Sequence, residues 1–580
     1  MTFARLLCTG LLALLGSAVW AGNESIAPEN ATGWQHPERI LARESLVVSA
    51  HPLATQAGFE LLQQGGSALD AAVAIQAMLT LVEPQSSGIG GGAFLLYWDQ
   101  ASQTLHAYDG RETAPAGVDQ NLFLRADGSP MPWHEALVGG RSVGTPGVLR
   151  MLEQAHQRHG KLDWPQLFES SITQAEQGFR IGNRLHRLIA DGINPGLKHS
   201  PDSRRYFFDA EGAPLAPGSL LRNPELADSL RLIATQGADA LYHGSLAKQI
   251  VASVQAASDN PGRLTLADLA AYTVRERDAI CMPYRAYRIC GFPPPTSGGV
   301  TLLQILGLLQ HTPLSEQAPD SAGFAHLFTQ AARLAYADRA HYLADPDFVE
   351  VPTAALLAPD YLRLRADLID PTRDMGQAKP GSPASLTLAQ DQSPELPSTS
   401  HFVVRDREGN LLSMTTSIEM AFGSTLMAGG FLLNNQLTDF SFVPEVNGIP
   451  VANRLEPGKR PRSSMAPIIV FDADNQPLAA LGSPGGSRII NYVARTLLLM
   501  LHSEMSLQEI LHQPNISNRN GPTELEEATA AEQLLFELTD MGHEVRIGEL
   551  NSGVHAIRRL PDGRWESGVD PRREGMALGR

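Results

Sequence analysis

The 580-residue sequence predicts a mixed α/β (α+β) protein, and three observations carry that prediction. Short apolar runs bounded by turn residues read as strands, early in the chain at 46–50, 93–98 and 104–108 and again at 400–406 and 411–419. One helix-length segment, 67–82 (SALDAAVAIQAMLTLV), is apolar nearly all round, with Ser67 as its N-cap, and belongs at the centre of the fold. A long, mostly helical block, residues 142–370, separates the two strand groups.

A hydrophobic content of 43% with ordinary charge content indicates a globular protein, not a disordered or fibrous one. The net charge of −17 argues against non-specific binding to nucleic acid or anionic membranes. No basic run and no Cys/His cluster with metal-ligand spacing occurs, so neither a nucleic-acid partner nor a metal is expected. Residues 1–21 read as a cleavable signal peptide. Arg5 precedes an apolar stretch from Leu6 to Trp20, and Val19-x-Ala21 fits a signal-peptidase site. The stretch is short for a membrane span and gives no stable anchor, so the mature chain is expected in the periplasm or outside the cell.

In chain order, the strand at 46–50 ends at His51-Pro52, and helices 53–64 and 67–82 follow, split by Gly65-Gly66. The run Gly88-Ile89-Gly90-Gly91-Gly92 lacks the Lys-Ser/Thr of a phosphate loop and leads into a strand, so it reads as a close backbone approach. Arg111, at the end of the strand 104–108, is placed to clamp a carboxylate; a solvated ion pair is the plainer reading. The helical block includes 148–159, 164–177, 223–236, 246–257, 301–309 and 322–343, with Pro293–Gly299 opening one helix. It shows no nucleophile–base spacing and reads as structural. Cys281 and Cys290 face each other across a hairpin turning at Arg285-Ala286. In an oxidising compartment they can form a disulfide; two reduced thiols is the other reading.

Residues 376–398 are rich in Pro, Ser, Gly and Gln, the composition of a mobile or cleavable connector. The strands at 400–406 and 411–419 then form a hairpin about Arg407-Glu408-Gly409, with Gly409 where the turn needs a left-handed residue. That register sets Thr399 opposite Ser417, and strand alternation puts Glu419 on the same face. A Thr hydroxyl is a weak nucleophile unless a base takes its proton. Cutting Ser398–Thr399 would free an α-amine, titrating near about 7.7–8.0, beside that hydroxyl. A surface hairpin after a loop is the plainer alternative. Farther on, Gly485-Gly486 open the helix 489–502 and offer amides to an oxyanion; a tight turn is the alternative there.

The segments GIGGGAFLL (88–96), DGRETAP (109–115), PPPTSGG (293–299), AYADRAHYLADPDF (335–348), STSHFVVRD (398–406), LLNNQLTDFS (432–441), RPRSSM (460–465) and GSPGGSR (482–488) resemble those of the gamma-glutamyltranspeptidases, in order, from about residue 40 onward. The resemblance implies an Ntn-hydrolase fold, a four-layered αββα sandwich. It also implies a precursor that cuts itself into a large subunit (22–398) and a small one (399–580). By position it implies Thr399 as nucleophile and Ser417 as the supporting hydroxyl. It gives Arg111, Ser463 and Ser464 to the donor's α-carboxylate, Gln436 and Asp439 to its α-amino group, and Gly485 and Gly486 to the oxyanion hole. The implied substrate is a γ-glutamyl donor such as glutathione, with water or an amino acid or peptide as acceptor, and no cofactor or metal.

Departures from the family pattern concern specificity. Ser417 stands where Thr is usual, Glu419 where Asn is frequent near the α-amino group, and Thr438 where a second Asp is common. The segment from Asp439 to Ser463 is short for a lid, so hydrolysis is expected to compete with transfer. A related acylase with a glutaryl-type head group is the alternative. Glu419 and Asp439 argue against it, since an acyl group without an amine would leave both unpaired. An amino-acid-binding protein without catalysis is the remote alternative.

Overall fold

The computed structural model describes residues 31, 33–258, 260–391, 393 and 398–580. The expected signal peptide, and residues 392 and 394–397 of the connector, lie outside the described residues.

The elements that carry the site are few. They are β1 (Leu46–Ser49), α1 (Pro52–Gln63), α2 (Ala68–Val82), β2 (Gly92–Asp99), β3 (Thr104–Gly110), β4 (Tyr287–Gly291), α3 (Gly298–Leu309), α4 (Ala322–Tyr342), β5 (Ser400–Arg405), β6 (Leu411–Ser417), β7 (Ile468–Phe471), β8 (Pro477–Gly482) and α5 (Ile489–His502). One seven-stranded antiparallel sheet runs Met576–Gly579, β1, β5, β6, β2, β3, Arg275–Arg277. The other runs Leu41–Ala42, Trp565–Val569, His555–Arg559, β8, β7, β4, Ile280–Tyr284.

Alternation sorts the first sheet's side chains. Val47, Leu95, Val404 and Met414 join the core beneath α1 and α2, while Val48, Phe94, Leu96 and Val403 join the core shared with the second sheet and α3, α4 and α5. Between the sheets, Trp98 meets Phe471 edge-on at 4.9 Å and Phe94 meets Phe292 at 4.6 Å. The result is the expected αββα layering. α2 is buried along its whole length because sheet lies on one side and the block 142–260 on the other, and Ser67 caps it in a box with Asp70.

Two expectations about local structure need correction. The predicted helix 164–177 is a 3₁₀ turn, Trp164–Phe168, followed by a helix, Glu169–Gln177. The connector is not free of the body. Leu386 and Leu388 pack against the cluster around Val300 and Tyr342, Asp338 accepts from Gly381 N at 2.7 Å, and Ala389 bridges Val451. Scattered leucines and backbone pairing bind what its composition suggested was loose. Cys281 and Cys290 are disulfide-bonded across the hairpin whose turn is Arg285-Ala286.

Candidate active site

β5 and β6 pair with Ser400 opposite Thr416, and that register carries on to set Thr399 against Ser417 at the open end of the hairpin. Gly409, at φ +91°, makes the turn. Both hydroxyls converge on Ser398: Thr399 Oγ1 donates to its carbonyl oxygen at 2.6 Å and Ser417 Oγ at 2.7 Å. Ser398 Oγ in turn donates to Gln85 O at 2.7 Å, and Ser87 Oγ to Ser400 Oγ at 3.0 Å. The loop after α2 therefore holds the chain on both sides of the Ser398–Thr399 bond. The glycine run after it makes the expected close approach. A side chain at Gly91 would meet Ser417 O at 2.1 Å, and one at Gly90 would meet Leu432 O at 2.2 Å.

One pocket gathers Thr399 and Ser417 with Arg111, Glu419, Gln436, Asp439, Ser463, Ser464 and Gly486. Met465 and Ile489 complete the wall, and neither was expected from the sequence. Glu419 reaches the pocket by a different route from the one predicted. β6 ends at Ser417, and Glu419 sits at φ +77°, its amide donating to Ser417 Oγ at 2.8 Å. A backbone turn, not strand alternation, aims the carboxylate. Gly485 (φ +133°) does not line the pocket; Gly486 does.

The charged groups form a chain. Gln436 Nε2 donates to Glu419 Oε2 at 2.7 Å and to Asp439 Oδ2 at 3.0 Å. Asp439 is ion-paired with Arg111, whose guanidinium also donates to the carbonyls of Pro461 (3.2 Å) and Arg462 (3.1 Å). The solvated ion pair is excluded, because the Arg111 side chain is buried. Burial works against its charge, but Asp439, Glu112 and Glu419 more than offset that and raise its pKa. Arg111 and Asp439, expected at opposite ends of a bound head group, bond each other here. Behind them Glu112 Oε2 lies 3.5 Å from Arg111 Nη1. Burial, opposed by Arg111, pushes Glu112 up to about 8.

The helical block does reach the site, contrary to its reading as purely structural. Arg339 of α4 donates to Ser464 Oγ at 2.7 Å and to Ser297 Oγ at 2.8 Å. Ser297 and Thr296, within the segment expected only to open a helix, bond the carbonyls of Ser463 and Met465, both at 2.6 Å. The serine pair is thereby held from residues more than a hundred positions upstream. Only the tertiary fold brings them together; the Thr-Ser-Gly-Gly run was the one visible sign.

Residues 54–580 match the family model described as Gamma-glutamyltranspeptidase. The chain is 37% identical over 551 residues to a glutathione hydrolase proenzyme of Bacillus subtilis (strain 168), covering 93% of this chain and 92% of that one. It is 35% identical over 586 residues to the protein of the same description from Escherichia coli (strain K12), covering 98% of each. Among solved structures, the cephalosporin acylase from Bacillus halodurans superposes with a TM-score of 0.83 at 26% identity, over 94% of this chain and 97% of that one. With relatives at 37% and 35% identity along nearly their whole length and one family model spanning most of the sequence, this protein belongs to the gamma-glutamyltranspeptidase family.

Proposed function

We propose that the chain is a precursor that cuts its own Ser398–Thr399 bond, giving subunits 22–398 and 399–580, and then cleaves γ-glutamyl amides such as glutathione. The observation that carries this reading is the pair of hydroxyls, Thr399 and Ser417, on the Ser398 carbonyl at the edge of a pocket lined by Arg111, Asp439 and Glu419. Ser417 keeps polarising that carbonyl as Thr399 Oγ1 attacks its carbon. The hydroxyl proton passes to the peptide nitrogen, which leaves as the new α-amine, and water hydrolyses the resulting ester to a Ser398 carboxylate and a free Thr399 hydroxyl. In the mature enzyme the α-amine takes the hydroxyl proton as Oγ1 attacks the donor's γ-carbonyl and passes it to the amide nitrogen, which leaves as the amine when the C–N bond breaks. The Gly486 amide faces the developing oxyanion, with Gly485 setting its turn. The donor's carboxylate meets Arg111, Ser463 and Ser464, and its ammonium lies between Asp439 and Glu419 with Gln436 as spacer. Water or an acceptor amino acid or peptide resolves the γ-glutamyl-Thr399 ester. Residues 1–21 would direct export, and the Cys281–Cys290 disulfide accords with an oxidising compartment. No helix among the described residues is long and apolar enough to cross a membrane.

The test is a denaturing gel and an anilide assay. The parent should run as two fragments split at Ser398/Thr399 and turn over a γ-glutamyl anilide, whereas Thr399→Ala should do neither. A Thr399→Ala chain that still splits there would overturn the reading. One observation favours the acylase alternative: Arg111 already neutralises Asp439, as a head group without an ammonium would require. Equal turnover of glutaryl and γ-glutamyl anilides would decide for it.

A further inference from the structure

Tyr336 and Arg339 lie three positions apart on one side of α4, and both are buried. They reach different halves of the pocket. The Tyr336 hydroxyl donates to the carbonyl of Ser487, next to Gly486, and accepts from Asn491 Nδ2 at 3.0 Å. Arg339 donates to Ser464 Oγ at 2.7 Å, and its guanidinium lies 5.7 Å from the centre of the Tyr336 ring. The glycine turn is clamped from its far side as well. Arg519 donates to Ser487 Oγ at 3.0 Å, and Arg488 to Glu524 at 2.8 Å. The pairing of β7 with β8, Ile468 opposite Leu481, already brings the serine pair before β7 and the glycine turn after β8 to one end of the sheet, and α4 ties the two together a second time through side chains.

We propose that α4 is a strut that sets the spacing between the oxyanion amide at Gly486 and the carboxylate-binding serines, with Tyr336 and Arg339 as its two positioning residues. This rests on the functional reading above. In a γ-glutamyl donor that spacing is spanned by the methylenes between the α-carbon and the reacting carbonyl, so a strut of fixed length measures the acyl chain. A β-aspartyl donor is one methylene shorter and cannot fill both ends at once. Misplacing a reacting group by about 1 Å can cost on the order of a hundredfold in rate, so a rigid helix is a sufficient ruler.

The experiment uses the processed enzyme with γ-glutamyl and β-aspartyl anilides. Tyr336→Phe should lower kcat for the γ-glutamyl anilide by about tenfold and leave KM within about twofold, because the oxyanion forms only in the transition state. Arg339→Lys should raise KM by about tenfold with kcat nearly kept, because the carboxylate is held in ground and transition states alike. Both should lower the preference for γ-glutamyl over β-aspartyl. If Tyr336→Phe yields no folded protein, Asn491→Ser, which withdraws the amide from the Tyr336 hydroxyl, carries the same comparison. Unchanged kinetics, or kcat and KM shifting alike in both variants with an unchanged donor preference, would overturn the proposal. A parent without γ-glutamyl turnover would instead overturn the functional reading, so the two failures are distinguishable.

Discussion

Thr399 and Ser417 donate to the same oxygen, the carbonyl of Ser398, at 2.6 and 2.7 Å. Only Thr399 is also covalently next to that carbonyl. The two hydroxyls should therefore differ in their effect on maturation. Thr399→Ala should stay a single chain indefinitely. Ser417→Ala keeps the Thr399 hydroxyl and loses one polarising donor, so it should still split, slower by roughly tenfold to a hundredfold. A time course of fragment appearance on a denaturing gel measures both.

Arg111 is pre-paired with Asp439, and the pair is buried. Arg111→Lys loses the fork geometry that serves Asp439 and two carbonyls together, and should raise donor KM by about tenfold or more. Asp439→Asn removes the carboxylate paired with the buried guanidinium, leaving it two carbonyls and Glu112, and should cost about 3 kcal/mol of stability. Donor kinetics check the first expectation and denaturant melts the second.

Glu419 carries a negative charge that Gln436 ties to Asp439. Glu419→Gln keeps the shape and removes the charge, so it should lower the preference for γ-glutamyl over glutaryl anilide by about tenfold. An unchanged ratio would mean that the ammonium is held without Glu419.

Glu112 has an ordinary value of 4.5 and is pushed up to about 8, by burial first and against the pull of Arg111. The folded chain then keeps a proton that the unfolded chain releases. Stability is full below the ordinary value and falls as pH rises toward about 8. Glu112→Gln removes that loss. Its Tm relative to the parent should therefore improve between about pH 5 and pH 8.5. In the folded chain Glu112 ionises only near pH 8 and then competes for Arg111, so the parent's donor KM should rise there.

A histidine pair gives the opposite slope. His326 Nε2 donates to the Asp370 carbonyl at 2.8 Å, His326 Nδ1 and His543 Nε2 share a hydrogen bond at 2.7 Å, and His543 Nδ1 shares one with Thr523 Oγ1 at 2.8 Å. Burial, opposed by nearby Asp374, pulls His543 down from 6.5 to about 4. Its contribution is full above pH 6.5 and is lost as pH falls toward 4. The pair joins residues on opposite sides of the Ser398–Thr399 bond. Acid should therefore lower the Tm of the processed protein, and His543→Gln should flatten that limb.

Much of this was legible in residue order. The hairpin register follows from one glycine and two strand runs, because cross-strand partners are set once the turn is set. It places Thr399 against Ser417, and the apolar girth of 67–82 places that helix at the centre. Glu419 reaches the pocket through a positive φ beyond the strand end, which a two-residue alternation does not encode.

Tertiary structure alone decided what the charges touch. That Arg111 bonds Asp439, 328 positions away, and that Arg339 bonds Ser464, 125 positions away, depends on two sheets and their helices packing at one distance. Residue order set Thr399 opposite Ser417 because their spacing is a local property of one hairpin. The clamp around them is a sum of long-range contacts, and no local pattern encodes those.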